Sequence, residues 1–331
     1  SGQPEDELYK QIAAALQQHD VNAVIGIGEK ISNRLPVALS SAAIQQDYFT
    51  NTESFIQHYR FSQLKDETIL IKGARIFEFE KIVRLLEQKA HQTVLEINLT
   101  AIAHNLNQYR QLLKPGTKIM AMVKAFAYGS GGAEIAGVMQ YHKADYLGVA
   151  YADEGVELRK AGITLPIMVM NPEVNTFDVI TDHNLEPEIY SFELLKEFDN
   201  YLQREAVTEY PVHIEIETGM NRLGFNPAEI TRLINFLNNT SSFKVQSVFT
   251  HLAAGEDAAQ DEFTMQQADK FKAAAEQLKK SLGYTFMSHI SNSAAILRHP
   301  QLQMDMVRLG IGLYGIDSGN TGKLNLQTVA T

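Results

Sequence analysis

Apolar residues recur along the chain with two different rhythms. Over residues 8–19 they fall at helical spacing (Leu8, Ile12, Leu16), and 21–27 then runs apolar into Gly26 and Gly28, which predicts helix, strand and glycine turn. A further strand is predicted at 68–71, followed by Lys72-Gly73-Ala74-Arg75 and a helix over 77–88 with Phe79, Ile82, Val83 and Leu86 on one face. Residues 1–90 therefore read as a small α/β layer. From about residue 93 the rhythm changes: 94–98 predicts a strand, Thr100 an N-cap, and 101–113 a helix stopped by Pro115-Gly116. A domain boundary is placed at 89–93.

Beyond it, strand-like runs occur at 118–124, 146–151, 167–170, 186–190, 212–217, 245–251, 285–291 and 304–310, separated by helical stretches that are clearest at 227–237 and 261–282. Strand and helix alternating at this count predict a (β/α)8 TIM-type barrel over 91–317, with 318–331 as a tail. An open doubly wound sheet is the alternative, and it requires a glycine-rich phosphate loop after its first strand, which is missing in the required form.

Composition narrows the chemistry. With 45% hydrophobic and 21% charged residues the chain has the make-up of a globular protein that buries a large core. A net charge of -10 and a pI near 5.5 argue against a nucleic-acid partner, whose phosphates need Lys and Arg. No cysteine is present, so there is no thiolate metal site and no disulfide, which is compatible with a cytoplasmic setting. The longest apolar stretches, such as 163–170, fall far short of the roughly 20 residues that span a bilayer. Ser1-Gly2 is either native or a tag remnant, and the polar run from Asn320 to Thr331 reads as the edge of an excised piece.

In a barrel, side chains at the carboxyl ends of strands converge on one rim, so the residues closing each run are the candidates. Lys124 closes the first run, where burial lowers an amine's pKa toward nucleophilicity; a Schiff-base lysine and a rim lysine extended to water both fit that position. The fifth run carries Glu215 and Glu217 and leads to Arg222, whose planar fork suits a carboxylate or phenolate oxygen. Others deliver His251, His289, Asn292, Ser293 and Arg308, followed by Gly310 and Ile311. Singly, His251 fits a satisfied core histidine, Asn292-Ser293 a helix cap and Arg308 a structural ion pair. Jointly they point to a small-molecule site, with Ser293 and the Gly310-Ile311 backbone as a phosphate cradle.

The segments Val123-Lys124-Ala125-Phe126-Ala127-Tyr128-Gly129, Thr218-Gly219-Met220-Asn221-Arg222-Leu223-Gly224, His289-Ile290-Ser291-Asn292-Ser293-Ala294 and Met306-Val307-Arg308-Leu309-Gly310-Ile311 resemble the pyridoxal-phosphate-binding barrel of alanine racemase. The resemblance implies that Lys124 bonds covalently to pyridoxal phosphate, and that Tyr128, Ser293, Gly310 and Ile311 hold its phosphate. It implies further that His251 lies near the ring, that Arg308 faces the pyridine nitrogen with His289 behind it, and that Arg222 orients the substrate alanine. Glu215 stands where several family members carry a carbamylated lysine. The family takes its opposite-face base, a tyrosine, from a C-terminal β-domain of a neighbouring subunit, so a homodimer of the full-length protein is implied and little turnover is expected of residues 1–331 alone. The barrel tyrosines Tyr151, Tyr190 and Tyr314 are not assignable to that role. A pyridoxal-phosphate-binding regulatory barrel without turnover is the other reading.

The front segment, with Glu67-Thr68-Ile69-Leu70-Ile71-Lys72-Gly73-Ala74-Arg75, is similar to the end of a UDP-N-acetylmuramoyl-tripeptide:D-alanyl-D-alanine ligase of the Mur family, giving a partial Rossmann-like domain ahead of the barrel. The ATP and Mg2+ site of such a ligase needs G-x-x-x-x-G-K-[ST], of which 319–323 is only a partial lookalike. A bifunctional parent enzyme of peptidoglycan synthesis is implied, one part supplying D-alanine and the other ligating D-alanyl-D-alanine.

Overall fold

The structure, a computed structural model, describes residues 4–64, 67–86, 95–129, 131–319 and 321–331, with the side chains of Ser62, Phe126 and Tyr128 outside the description. The chain divides into two compact units, Ser1–Val94 and Leu95–Thr331. The boundary expected at 89–93 lies outside the described residues.

In the first unit, α1 (Glu5–Gln18), β1 (Ala23–Ile27), α2 (Glu29–Ala38), β2 (Gln45–Phe49), α3 (Thr52–His58) and α4 (Glu80–Leu86) follow one another. β1 and β2 pair in parallel from Ala23–Gln45 to Ile27–Phe49. The glycine turn after β1 exists because Gly28 takes φ 119°, a region closed to most side chains, as it starts α2. Asn51 caps α3 by accepting from the Ser54 N–H at 2.8 Å. Ala13, Leu35 and Leu39 form one buried cluster, and Ile27, Phe55 and Ile82 another.

Two sequence expectations fail in this unit. Residues 68–71 form no strand: among the described residues they have no ladder partner, and Leu70 is 87% exposed. The helix expected over 77–88 begins only at Glu80, because Glu78 takes the left-handed conformation (φ 47°) after a 3-10 turn at Arg75–Phe77. Its predicted end at 87–88 is outside the described residues.

The second unit opens with α5 (Leu99–Arg110) and continues as β3 (Lys118–Met122), α6 (Lys124–Gly129), α7 (Gly132–Tyr141), β4 (Tyr146–Val149), α8 (Ala152–Lys160), β5 (Ile167–Val169), α9 (Phe177–Asp182), β6 (Glu186–Ile189), α10 (Phe192–Arg204), β7 (Tyr210–Glu215), α11 (Ile230–Asn238), β8 (Phe243–Phe249), α12 (Asp261–Leu282), β9 (Met287–His289), α13 (Ser293–Arg298) and β10 (Met306–Leu309). The eight strands β3 to β10 pair in parallel in chain order, and β10 closes on β3. Each lies within or close to one of the eight predicted runs.

Period-two alternation explains why these runs close into a barrel. Ile119, Ala121 and Val123 turn outward into the cluster shared with the helices, while Met120 and Met122 turn inward to meet Tyr146, Met168, Phe249 and Met306. Both faces are buried, as parallel strands require. Between Val212 and His213 the β7–β8 register shifts, so that His213 pairs with Ser247 rather than with its expected neighbour.

Ahead of the barrel the expected strand at 94–98 reduces, over its described part, to a single antiparallel bridge from Ile97 to Ala330. The cap of α5 is Asn98, which accepts from the Ala101 N–H at 3.0 Å, and not Thr100. The stretch 318–331, expected as a trailing tail, is pinned down: buried Asn105 donates to Gln327 O at 2.9 Å and accepts from Gln327 N–H at 2.8 Å, and Val329 is buried.

Candidate active site at the carboxyl rim

Lys124 follows β3 by two residues and starts α6, and it is half-buried. Burial holds its amine below the usual lysine range, the Arg222 guanidinium adds to this, and Glu188 opposes it. The amine therefore lies within the field of a residue some hundred positions away in sequence, as the convergence of strand ends requires.

Arg222 rides a loop after β7 that is tied down by Glu217. The Glu217 carboxylate accepts from the backbone N–H groups of Gly219, Asn221 (2.7 Å) and Arg222 (3.4 Å). β7 ends at Glu215, so Glu217 belongs to the loop rather than to the strand as expected. Gly224 completes the turn at φ 113°, where a Cβ would sit 2.6 Å from Glu217 N and 2.8 Å from Ile216 C.

His251 lies two residues past β8, and its pKa is drawn down to about 3 by burial first and then by Arg308, Arg222 and Lys124. It is a neutral imidazole at physiological pH. Arg308 is fully inside the barrel. It donates to His289 Nδ1 and to Thr250 O, both at 2.7 Å, and lies 4.9 Å over the Phe249 ring, which stacks on His289. Burial pulls Arg308 down to about 10 while Glu215 and Glu188 hold it up. His289 is kept far below the ordinary histidine range by burial and by Arg308.

Asn292 is the cap of α13, accepting from Ala295 N–H at 3.0 Å. Ser293 Oγ accepts from Gly310 N–H at 3.0 Å and Gly312 N–H at 3.3 Å. The predicted pair Ser293 and Gly310 is thus brought together, with Gly312 N–H directed to the same oxygen and Ile311 between. The side chain of Tyr128 lies outside the described residues. A cavity of about 290 Å3 opens nearby beyond β4 and β5, lined by Tyr151, Asp153, Asn171 and Glu173, and none of the motif residues is in its lining.

Four inward side chains escaped the sequence reading: Glu186, Glu188, His213 and Ser247. Glu188 is 1% exposed and hydrogen-bonded to Glu215; burial and the Glu215 charge raise its carboxyl well above the usual range. Two buried carboxyls in contact disfavour the second negative charge, and here Glu188 is the one pushed toward its neutral form. One oxygen of each, Oε2, has no partner among the described residues. Glu215 thus leans on Glu188 with Arg308 in its field. A signal for these residues does exist in the sequence. Glu186 and Glu188, and likewise His213 and Glu215, alternate through parallel strands that should be apolar on both faces, which marks an inward polar row.

Fold and site together define an α/β barrel with a half-buried lysine, two arginines and two histidines gathered at the ends of its strands. Residues 97–318 match the family model "Alanine racemase, N-terminal domain", and the chain belongs to that family. It is 34% identical over 240 residues to alanine racemase 1 of Oceanobacillus iheyensis, covering 71% of this chain and 63% of that one. It is 37% identical over 228 residues to the alanine racemase of Nostoc sp., covering 67% and 58%. The solved alanine racemase of Clostridium difficile 630 superposes with a TM-score of 0.67 at 34% identity, over 72% of this chain and 64% of that one. The alanine racemase of Bartonella henselae, solved with covalently bound pyridoxal phosphate, superposes with a TM-score of 0.64 at 26% identity, over 72% and 64%. The chain therefore spans less than two thirds of the length of these relatives. Among the described residues no helix is long and apolar enough to cross a membrane.

Proposed function

We propose that the barrel binds pyridoxal phosphate at Lys124 and serves the interconversion of L- and D-alanine. The observation that carries the reading is an amine made less basic by burial at the rim, in one electrostatic field with Arg222, His251 and Arg308. The donor set fits the cofactor. Lys124 would meet its aldehyde, Arg308 its pyridine nitrogen, and Tyr128, Ser293, Gly310 and Ile311 its phosphate, with His251, His289 and Asn292 around them. When bound, pyridoxal phosphate supplies the electron sink that makes an amino acid's Cα–H acidic.

The remaining chemistry belongs to the protein. A depressed pKa gives Lys124 a larger neutral fraction, which is what attack on an aldehyde and removal of a proton from one Cα face both require. Arg222 is a bidentate donor suited to the substrate carboxylate, and its loop is fixed by Glu217, so the Cα–H is held in one orientation. Arg308 cannot surrender its proton at neutral pH and acts only as a donor. Neutral His251 adds no further positive charge beside Lys124.

The test is titration of the chain with pyridoxal phosphate. Absorbance of the lysine-bound cofactor should appear with wild type and vanish in Lys124→Ala, and its persistence in that variant would overturn the reading. In the full-length protein, Cα deuterium exchange of bound alanine without formation of the other enantiomer would favour the regulatory barrel instead. For residues 1–90 we propose a Mur-ligase-like role within a bifunctional parent, supported by the likeness at 67–75 and the parallel β1–β2 pair flanked by helices; the family match does not extend to this segment. ATP-dependent ligation of D-alanyl-D-alanine by the full-length protein is the assay, and its absence would refute that part.

A further inference from the structure

Five inward-facing side chains, one from each of the neighbouring strands β6 to β10, are hydrogen-bonded end to end across the barrel. Arg308 Nη1 lies 2.7 Å from His289 Nδ1. His289 Nε2 lies 2.8 Å from Ser247 Oγ. Ser247 Oγ lies 2.6 Å from His213 Nδ1, and His213 Nε2 lies 2.9 Å from Glu186 Oε2. His213, Ser247 and His289 are 0% exposed, and Arg308 is 3% exposed.

The directions of these bonds follow from one fixed point. A guanidinium can only donate, so His289 Nδ1 accepts and its proton sits on Nε2. That proton is donated to Ser247 Oγ, which leaves the serine hydroxyl to donate to His213 Nδ1. His213 then carries its own proton on Nε2, aimed at the Glu186 carboxylate. Every donor in the row points away from Arg308 and every acceptor faces it, so the assignment is consistent at all four links without either histidine becoming charged. The register shift between Val212 and His213 is what makes the row continuous, since it sets His213 opposite Ser247. Tyr146, whose ring meets His213 edge-on at 5.7 Å, hydrogen-bonds to the same Glu186 and finishes that end.

We propose that Glu186, His213, Ser247 and His289 form a one-way hydrogen-bond relay that fixes the orientation of Arg308, with the part-buried Glu186 carboxylate at the far end of three intervening side chains. These are positioning residues: none of them needs to touch the cofactor, and the inference rests on the reading of Arg308 as the group facing the pyridine nitrogen. Low surrounding dielectric makes such a row stiff when complete and costly when one link is removed. Its effect is to present one guanidinium geometry to whatever lies at the carboxyl end of β10.

The decisive experiment is nitrogen NMR of the cofactor-free chain with 15N-labelled histidine, each signal assigned by substitution. His213 and His289 should both show an unprotonated Nδ1 and a protonated Nε2 across the neutral range. A proton on Nδ1 of either ring, or a doubly protonated ring, would overturn the relay. In a second arm, Ser247→Ala should weaken retention of pyridoxal phosphate about tenfold by breaking the middle link, and Ser247→Thr, which keeps the hydroxyl, should restore most of it. Equal retention in wild type and Ser247→Ala would overturn the positioning role. The first arm involves no cofactor, so a wild-type chain that binds no pyridoxal phosphate sinks the proposed function while the histidine spectra still decide the relay.

Discussion

His251 should be an acid-sensitive point of the barrel. Its folded pKa is about 3 against an ordinary 6.5, because burial and the charges of Arg308, Arg222 and Lys124 all disfavour the imidazolium. For a base whose folded pKa is depressed, the unfolded chain binds the proton first. The stabilisation is complete above pH 6.5 and is lost progressively as pH falls toward 3. Each pH step of one is worth about 1.4 kcal/mol, so by about pH 4.5 the barrel loses roughly 2.7 kcal/mol through this residue. His289, shifted in the same direction, adds its own loss in wild type and variant alike. Substitution His251→Gln removes the titration while keeping a polar side chain of similar reach. Hydrogen exchange of peptides from β8 and β10 reports the opening free energy of the barrel separately from the first unit. Between about pH 7 and about pH 4.5 the variant should lose roughly 2–3 kcal/mol less than wild type, whatever its stability at pH 7. A pH dependence matching wild type to within about 0.5 kcal/mol would show that His251 is not held neutral by its surroundings.

Other perturbations read other parts of the site. Ser293→Ala leaves the Gly310 and Gly312 N–H groups without their acceptor, and should cost the barrel about 2–4 kcal/mol in the same exchange measurement; a loss below about 0.5 kcal/mol would contradict it. Gly224→Ala forces a Cβ onto the backbone of Ile216 and Glu217 at a left-handed φ, and should cost more than about 2 kcal/mol and loosen the Arg222 loop, seen as faster hydrogen exchange of the peptide over 216–224. Arg222→Gln removes a charge that depresses the Lys124 amine, so the pH at which pyridoxal phosphate attaches should move upward; an unmoved or lowered curve would refute the shared field.

Much of the barrel was legible in the chain because its signals are local. Eight apolar runs bounded by turns and separated by helical spacing have few other solutions, and all eight appear as strands. Lys124, His251, Ser293 and Arg308 each have a structural explanation taken singly, and stood out because they fall together at or just beyond the ends of apolar runs. Where the reading failed, the deciding partner was distant or the signal weak. Residues 68–71 have strand composition but no neighbour to pair with among the described residues, whereas β2, with the polar sequence Gln-Gln-Asp-Tyr-Phe, is a strand because β1 lies beside it. Asn98 outcompetes Thr100 as a cap by a difference of two residues that local pattern does not resolve.

The order of apolar and polar residues therefore determined that a barrel forms, while the family was legible in four motifs rather than in that order. Tertiary structure alone decided which inward groups touch. Glu188 finds Glu215, and Glu186 reaches Arg308 through His213, Ser247 and His289, only because strands separated by dozens of residues close side by side with one register shift. Pairing across a closed sheet is a property of the whole cylinder, and no window of sequence contains it.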